Sequence, residues 1–168
     1  MKKREKRWIK LGILCSAVII LVLGFKIKDY RENPLWYDFK GRLMKENHLI
    51  KSISRSYPGP SYTIWIYFKN DKIDFDIVEP IFQTFLEELN QPEFVEELYT
   101  NYEKTHGQFA TMDVSFSLNG KENSPFYYRF EIFLPPSDRE AITNGTWSLI
   151  SSTQEEYLHK KYRASDYK

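Results

Sequence analysis

Asp113 and Glu131 are the two side chains whose type and spacing come closest to hydrolytic chemistry. Hydrolysis of a cell-wall polymer needs two carboxyl groups across a cleft, one of them desolvated so that its pKa is raised. The alternating patterns around them predict neighbouring strands with both side chains on the less apolar face, where charged pairs are common. Because the pattern supplies no buried partner for either carboxylate, the sequence predicts that the protein is not an enzyme.

Residues that could bind a metal are scattered along the chain. No second His or Cys lies one helical turn from His48, His106 or His159, so a zinc site is not predicted. Three aspartates could attract calcium, but the glycine and the distal glutamate of a calcium loop are missing. Turns and helix capping explain these aspartates better, and neither a metal nor a cofactor is predicted. They are Asp71, Asp74 and Asp76.

Aromatic residues form 17% of the chain, and only part of them falls on apolar stripes that predict a core. Rings on an outer sheet face mark contact with a protein or a sugar, whereas a second layer of structure would bury them. Since the run around Trp65 is apolar at both parities, the pattern favours burial of Trp65. The candidates for partner contact are Trp65, Tyr67, Tyr57, Tyr62 and Tyr127.

Five runs have the alternation, or the β-branched and aromatic content, of strands. Residues 61–69 predict a central strand, and residues 49–57, which are poor in hydrophobic side chains, predict an edge strand. Residues 112–118 and 125–135 alternate cleanly and predict a hairpin. A short fifth strand is predicted at 147–150.

Three runs with a period of 3.6 predict helices at 34–47, 76–89 and 93–106. The element order is therefore ββααββ. It predicts an α+β domain over 34–152, with four to five mainly antiparallel strands and helices packed on one face. Residues 153–168 predict a polar C-terminal helix or tail.

Residues 11–27 predict a transmembrane signal-anchor helix. The stretch Leu11–Phe25 is uncharged and mostly aliphatic, and its flanks extend it to the roughly 20 residues that a bilayer crossing needs. A basic segment, residues 1–10, precedes the helix, and a short linker over 28–33 follows it.

A cleaved secretory signal and a lipoprotein are the alternatives. Cleavage needs small residues, and Val22-Leu23-Gly24 is a poor site. Lipoprotein processing at Cys15 needs a small residue before it, but Leu14 occupies that position. The sequence therefore favours a retained anchor.

The charge distribution predicts the orientation. Residues 1–10 carry six Lys or Arg and one Glu, whereas residues 26–32 carry three bases and two acids. Because basic residues resist translocation, the N-terminus is predicted to be cytoplasmic and the domain to lie outside, at the cell membrane. Residues 29–168 carry 16 bases and 22 acids, and this negative balance argues against nucleic-acid binding.

Together these patterns predict a single-pass bacterial membrane protein with a non-catalytic extracytoplasmic interaction domain. Its predicted partners are the lipid bilayer and another membrane or envelope protein. The alternative is a membrane-tethered cell-envelope enzyme, or a module that binds a sugar or wall polymer.

Overall fold

The computed structural model divides the chain into two compact units, Met1–Pro34 and Leu35–Lys168. The first unit is a single helix, and the second is an α+β domain built on a mixed six-stranded sheet. The residues that the structure describes are 2–70, 72–107, 109–118, 126–135, 138–152 and 160–167.

Helix α1 (Lys2–Glu32) forms the first unit. The described part of its apolar run, residues 12–25, rises about 21 Å at about 1.5 Å per residue, against about 30 Å of bilayer hydrocarbon. Over the described residues, no helix is both long enough and apolar enough to cross a membrane. The predicted transmembrane helix at 11–27 is therefore wrong, and α1 instead continues through Lys26 into a charged end.

The break after α1 is one residue, Asn33, where the sequence predicts a linker over 28–33. Pro34 disfavours a helical conformation at the residue before it, so the helix ends there. Asn33 Nδ2 donates to the backbone oxygen and to Oδ1 of Asp29, each at 2.8 Å. The predicted linker is thus helical up to Glu32.

In its described residues the domain has four α-helices: α2 (Pro34–Glu46), α3 (Phe75–Glu88), α4 (Pro92–His106) and the short α5 (Ala141–Asn144). A side chain of α4 caps α2, because the Glu97 carboxylate accepts hydrogen bonds from the backbone N–H groups of Leu35 and Trp36 at 3.0 and 2.8 Å. This contact fixes the first turn of α2 against α4.

Six strands form the sheet in chain order, and one of the five pairings is parallel. The chain passes through α3 and α4 between β2 and β3, and such a crossover allows parallel pairing, whereas the other pairings are antiparallel. The sheet is therefore mixed and has six described strands, so the predicted sheet of four to five mainly antiparallel strands is wrong. The strands are β1 (Ile50–Ser56), β2 (Ser61–Phe68), β3 (Thr111–Leu118), β4 (Phe126–Phe133), β5 (Trp147–Ser152) and β6 (Lys161–Tyr162).

One face of the sheet, named the first face, packs on the helices. Phe82 of α3 stacks on Phe130 of β4 with ring centroids 3.8 Å apart, and it meets Trp147 of β5 edge-on at 5.5 Å. Tyr62 of β2 packs on Tyr102 of α4 at 6.1 Å. All five side chains are buried, so the core lies between this face and the helices.

The C-terminal residues also pack on the core, where the sequence predicts a polar helix or tail over 153–168. Tyr162 is buried, and its hydroxyl donates to Glu79 Oε1 at 2.5 Å beside an ion pair from Lys160 at 2.9 Å. A 3-10 turn, Ala164–Asp166, follows. Residues 160–167 are therefore a strand and a turn, while 153–159 lie outside the described residues.

Candidate functional site

The opposite face of the sheet, named the second face, is polar at its centre and carries larger apolar side chains towards its border. The described ring contacts between the helices and the sheet are made by first-face side chains such as Tyr62, Phe130 and Trp147. Strand alternation in the observed register assigns the second face four side chains from β2, four from β3 and three described ones from β4. They are Ser61, Thr63, Trp65, Tyr67, Thr111, Asp113, Ser115, Ser117, Arg129, Glu131 and Phe133.

Asp113 lies at the centre of the second face, with its side chain 1% exposed. Its Oδ2 accepts hydrogen bonds from Thr63 Oγ1 at 2.8 Å and Arg129 Nη2 at 3.3 Å. Its Oδ1 accepts one from Ser115 Oγ at 2.9 Å. Burial raises the pKa of Asp113 above its usual value, although these hydrogen bonds and the charge of Arg129 oppose that shift. The donors hold this carboxyl group in one position.

The structure brings the predicted pair Asp113 and Glu131 together as direct cross-strand neighbours. Arg129 Nη2 lies 3.3 Å from Asp113 Oδ2 and 3.1 Å from Glu131 Oε2, so one guanidinium bridges both carboxylates. A catalytic acid must reach the oxygen of the leaving group. Asp113 is buried and both of its oxygens already accept hydrogen bonds, so this arrangement suits strand cohesion better than proton transfer.

Trp65 and Tyr67 are the predicted contact residues that share the second face. Their rings are stacked, with centroids 6.1 Å apart and planes 8° from parallel. Tyr67 is 5% exposed, whereas Trp65 is only half-buried, and its Nε1 donates to Ser56 Oγ at 2.9 Å. Trp65 therefore presents part of its ring to solvent, although the sequence pattern favoured its burial.

Of the other three candidates, Tyr62 and Tyr57 are not brought to this surface. Tyr62 is a buried first-face residue, and desolvation raises the pKa of its hydroxyl. Tyr57 is half-buried and meets the rings of Tyr62 and Tyr102 edge-on at 5.1 and 5.4 Å. Tyr127 lies in β4, and its side chain is outside the described residues.

Two exposed apolar residues near the second face were missed from the sequence. Phe133 is 74% exposed at the end of β4, and its parity with Glu131 could have identified it. Ile150 is 47% exposed where the register between β4 and β5 shifts. Its parity opposite to the buried Trp147 and Leu149 could have identified it.

The predicted absence of a metal site rests on residues that are only partly described. Within the described ranges, no group of three or more His, Cys, Asp or Glu could hold a metal ion. Asp74 and Asp76 are exposed at the start of α3, and His48 is exposed after α2. Asp71 and His159 lie outside the described residues, as does the side chain of His106.

A comparison with known protein families, curated proteins and solved structures found no match to this chain. The functional argument therefore rests on the geometry of the described residues.

Proposed function

We propose that the chain is a membrane-associated, non-catalytic interaction protein whose domain binds another membrane or envelope protein through the second face. The observation that carries this proposal is the composition of that face. Its polar centre is internally paired, and its border carries the half-buried Trp65 and the exposed Phe133, with Ile150 exposed nearby. Protein interfaces combine aromatic and aliphatic anchors with satisfied polar groups in this way.

The paired centre supports binding rather than chemistry. A partner that covers the second face removes water from Arg129 and Glu131, whose side chains are 28% and 24% exposed, and such desolvation is costly for charges without partners. Because one guanidinium already bridges the two carboxylates, the face can be covered without leaving either acid unpaired. Arginine is also one of the residue types that contribute most to binding at interfaces.

Helix α1 supports contact with a lipid bilayer. Its large apolar side chains are exposed along the helix, including Ile13 at 65%, Ile20 at 68% and Phe25 at 70%. A contiguous apolar surface of this kind marks contact with lipid or protein. The basic residues 1–10 would attract anionic headgroups. The proposal therefore includes a lipid contact of α1 at the cell membrane, and it does not require a membrane-spanning helix.

A sugar-binding or wall-polymer-binding module is the second candidate. Trp65 stacks on the buried Tyr67, and its half-buried ring lies beside the hydroxyl group of Ser56. Aromatic faces and hydroxyl groups complement the apolar and polar surfaces of a sugar ring. The envelope enzyme is less well supported, because Asp113 is buried and bridged to Glu131.

Photo-crosslinking from the second face tests the main proposal. The full chain, with a benzophenone amino acid in place of Phe133, is irradiated in membranes of its own host. We expect one discrete protein adduct. The matched control carries the same group in place of Glu46, which is exposed on α2, and we expect no adduct from it.

The same preparation separates the two candidates. Retention of the full chain on insoluble wall polymer, with loss of retention in Trp65→Ala and no adduct from position 133, would support the sugar-binding module instead. An adduct of equal yield from both positions would show that crosslinking is non-specific and would count against a contact at the second face.

Liposome flotation tests the lipid contact of α1. We expect the full chain to float with vesicles of phosphatidylglycerol and phosphatidylcholine, and the double variant Ile20→Glu with Leu23→Glu to float much less. Phe133→Glu with Ile150→Glu introduces the same charge at two exposed apolar residues of the domain, and this variant should float like the unmodified chain. Equal flotation of all three proteins would contradict a contact through α1.

A further inference from the structure

Three clefts on the domain share lining residues and form one groove, named the α4 groove. The first cleft, of about 630 Å³, lies beside the C-terminal turn and shares Asn90, Thr143 and Asn144 with the middle cleft, of about 370 Å³. The middle cleft shares Arg139 with the third, of about 400 Å³. A groove of several connected clefts suits an extended ligand better than a compact one.

The floor of the groove is apolar in two places. Leu89, Pro92 and Val95 line the middle cleft. Tyr99 and Phe109 line the third, where their rings stack with centroids 4.5 Å apart. Each place can accept the aliphatic part of a side chain from a ligand.

The walls of the groove are acidic. Among the described lining residues there are five acids and one base, Arg139. Arg139 is itself paired with two of these acids, Glu96 at 2.5 Å and Glu103 at 2.7 Å. The net charge of the lining therefore complements a basic ligand. The five acids are Glu87, Glu96, Glu103, Asp138 and Glu140.

Arg139 shows within the chain how this groove binds a cation. Its guanidinium lies 5.1 Å from the centre of the Tyr99 ring and contacts the carboxylates of Glu96 and Glu103. A ring face combined with two carboxylates is a recurring site for guanidinium groups. Glu87 and Glu140 add carboxylates in the first and middle clefts.

We propose that the α4 groove binds an extended basic segment of a partner protein, with an aliphatic side chain in the middle cleft and Lys or Arg on either side. This site is separate from the second face, because α4 packs against Tyr62 on the first face of the sheet. A negative result for the α4 groove would therefore leave the function proposed above unaffected, and the reverse also holds.

Fluorescence anisotropy of a labelled peptide, with the full chain in detergent micelles, tests this proposal. The probe is the peptide Gly-Arg-Ser-Leu-Ser-Arg-Gly, and the comparison peptide has Glu in place of both Arg. We expect saturable binding of the probe, at least about tenfold tighter than that of the comparison peptide, and a loss of affinity as salt rises.

Variants of the groove sharpen the test. Glu87→Lys with Glu140→Lys should weaken probe binding by at least about tenfold through charge. Asn144→Trp should block binding by filling the groove from an exposed position without a change of charge. Glu46→Lys, an exposed site outside the groove, is the matched control and should bind within about twofold of the unmodified chain. Thermal melting verifies that each variant is folded.

Equal binding of the probe by the unmodified chain, the double variant and Asn144→Trp would overturn the proposal. Equal binding of the Glu peptide would do the same. A salt-sensitive dimer that Asn144→Trp disrupts, with no peptide binding, would make a second copy of the chain the occupant and would also overturn it.

Discussion

The two faces of the sheet come from the same strands but are held in different ways. On the first face, aromatic rings pack against the helices, as Phe82 does on Phe130 at 3.8 Å. On the second face, a buried carboxyl group, Asp113, is held by two hydroxyl groups and by Arg129. Neighbouring residues of one strand lie on opposite faces: Met112 points to the core on the first face, and Asp113 lies on the second face.

This difference assigns separate roles to the faces. Burial of aromatic rings stabilises the fold strongly and without a preferred direction. A hydrogen-bonded charge cluster contributes less net stability, since desolvation offsets much of its attraction, but it fixes side chains in position. We therefore expect substitutions on the first face to reduce stability, and those at the border of the second face to alter binding.

Phe82→Ala should have the largest effect on stability, about 3–5 kcal/mol, because it leaves a cavity among Phe130, Trp147 and Tyr162. Phe133→Ala removes the same ring from an exposed position and should cost less than about 1 kcal/mol. Urea unfolding of both variants measures the difference. Equal losses would show that the two faces are packed alike.

Asp113→Ala should cost about 2–3 kcal/mol, because it leaves Thr63 and Ser115 without their acceptor and removes one carboxylate from Arg129. Asp113→Asn keeps the shape and an acceptor oxygen, so it should cost less than about 1 kcal/mol. The pair is compared by urea unfolding at neutral pH. An alanine variant as stable as the asparagine variant would contradict the role of the hydrogen bonds.

Trp65→Ala should cost about 1–2 kcal/mol, since the ring is half-buried and gives up one hydrogen bond, to Ser56. A loss as large as that of Phe82→Ala would mean that Trp65 is packed core, as the sequence pattern favoured. Trp65→Phe separates the contribution of ring burial from that of the hydrogen bond, because it keeps an aromatic ring and removes the Nε1 donor to Ser56.

The pH dependence of stability should show the smallest effect, through Asp113. Its pKa is raised in the folded protein above the ordinary value of 3.8, so the folded state binds this proton more tightly than the unfolded chain. The contribution of Asp113 therefore favours folding at low pH and weakens as pH rises above 3.8 through the raised pKa. Asp113→Asn removes this dependence. Relative to the unmodified chain, Asp113→Asn should gain stability as pH rises above 3.8, and a relative loss would contradict the direction of the shift.

The sequence indicated the second face only in part. Side-chain direction alternates along a strand, so the pattern placed Asp113 and Glu131 on one face. It did not indicate the burial of Asp113, because that depends on Thr63 and Arg129, which come from other strands. Burial of Trp65 was favoured because the strand is apolar at both parities, although exposure depends on what covers the strand.

The sheet itself was predicted incompletely for similar reasons. Strand alternation carries no information on pairing, and the parallel pairing of β2 with β3 depends on the path through α3 and α4. β6 has two residues, too few for a pattern, so Tyr162 was assigned to a polar tail. The apolar composition of α1 was evident from the sequence. The predicted membrane crossing, however, required a longer apolar helix than the described residues contain.

Thiol labelling at two adjacent residues of β4 tests most directly whether the first face is packed while the border of the second face is exposed. In the full chain with Cys15→Ser, Ile132→Cys places a thiol where the native side chain is 2% exposed, and Phe133→Cys places one where it is 74% exposed. We expect a maleimide to react at position 133 in the folded protein at the rate of a free thiol, and at position 132 only after unfolding in urea. Equal protection of the two positions in the folded protein would contradict an exposed border of the second face.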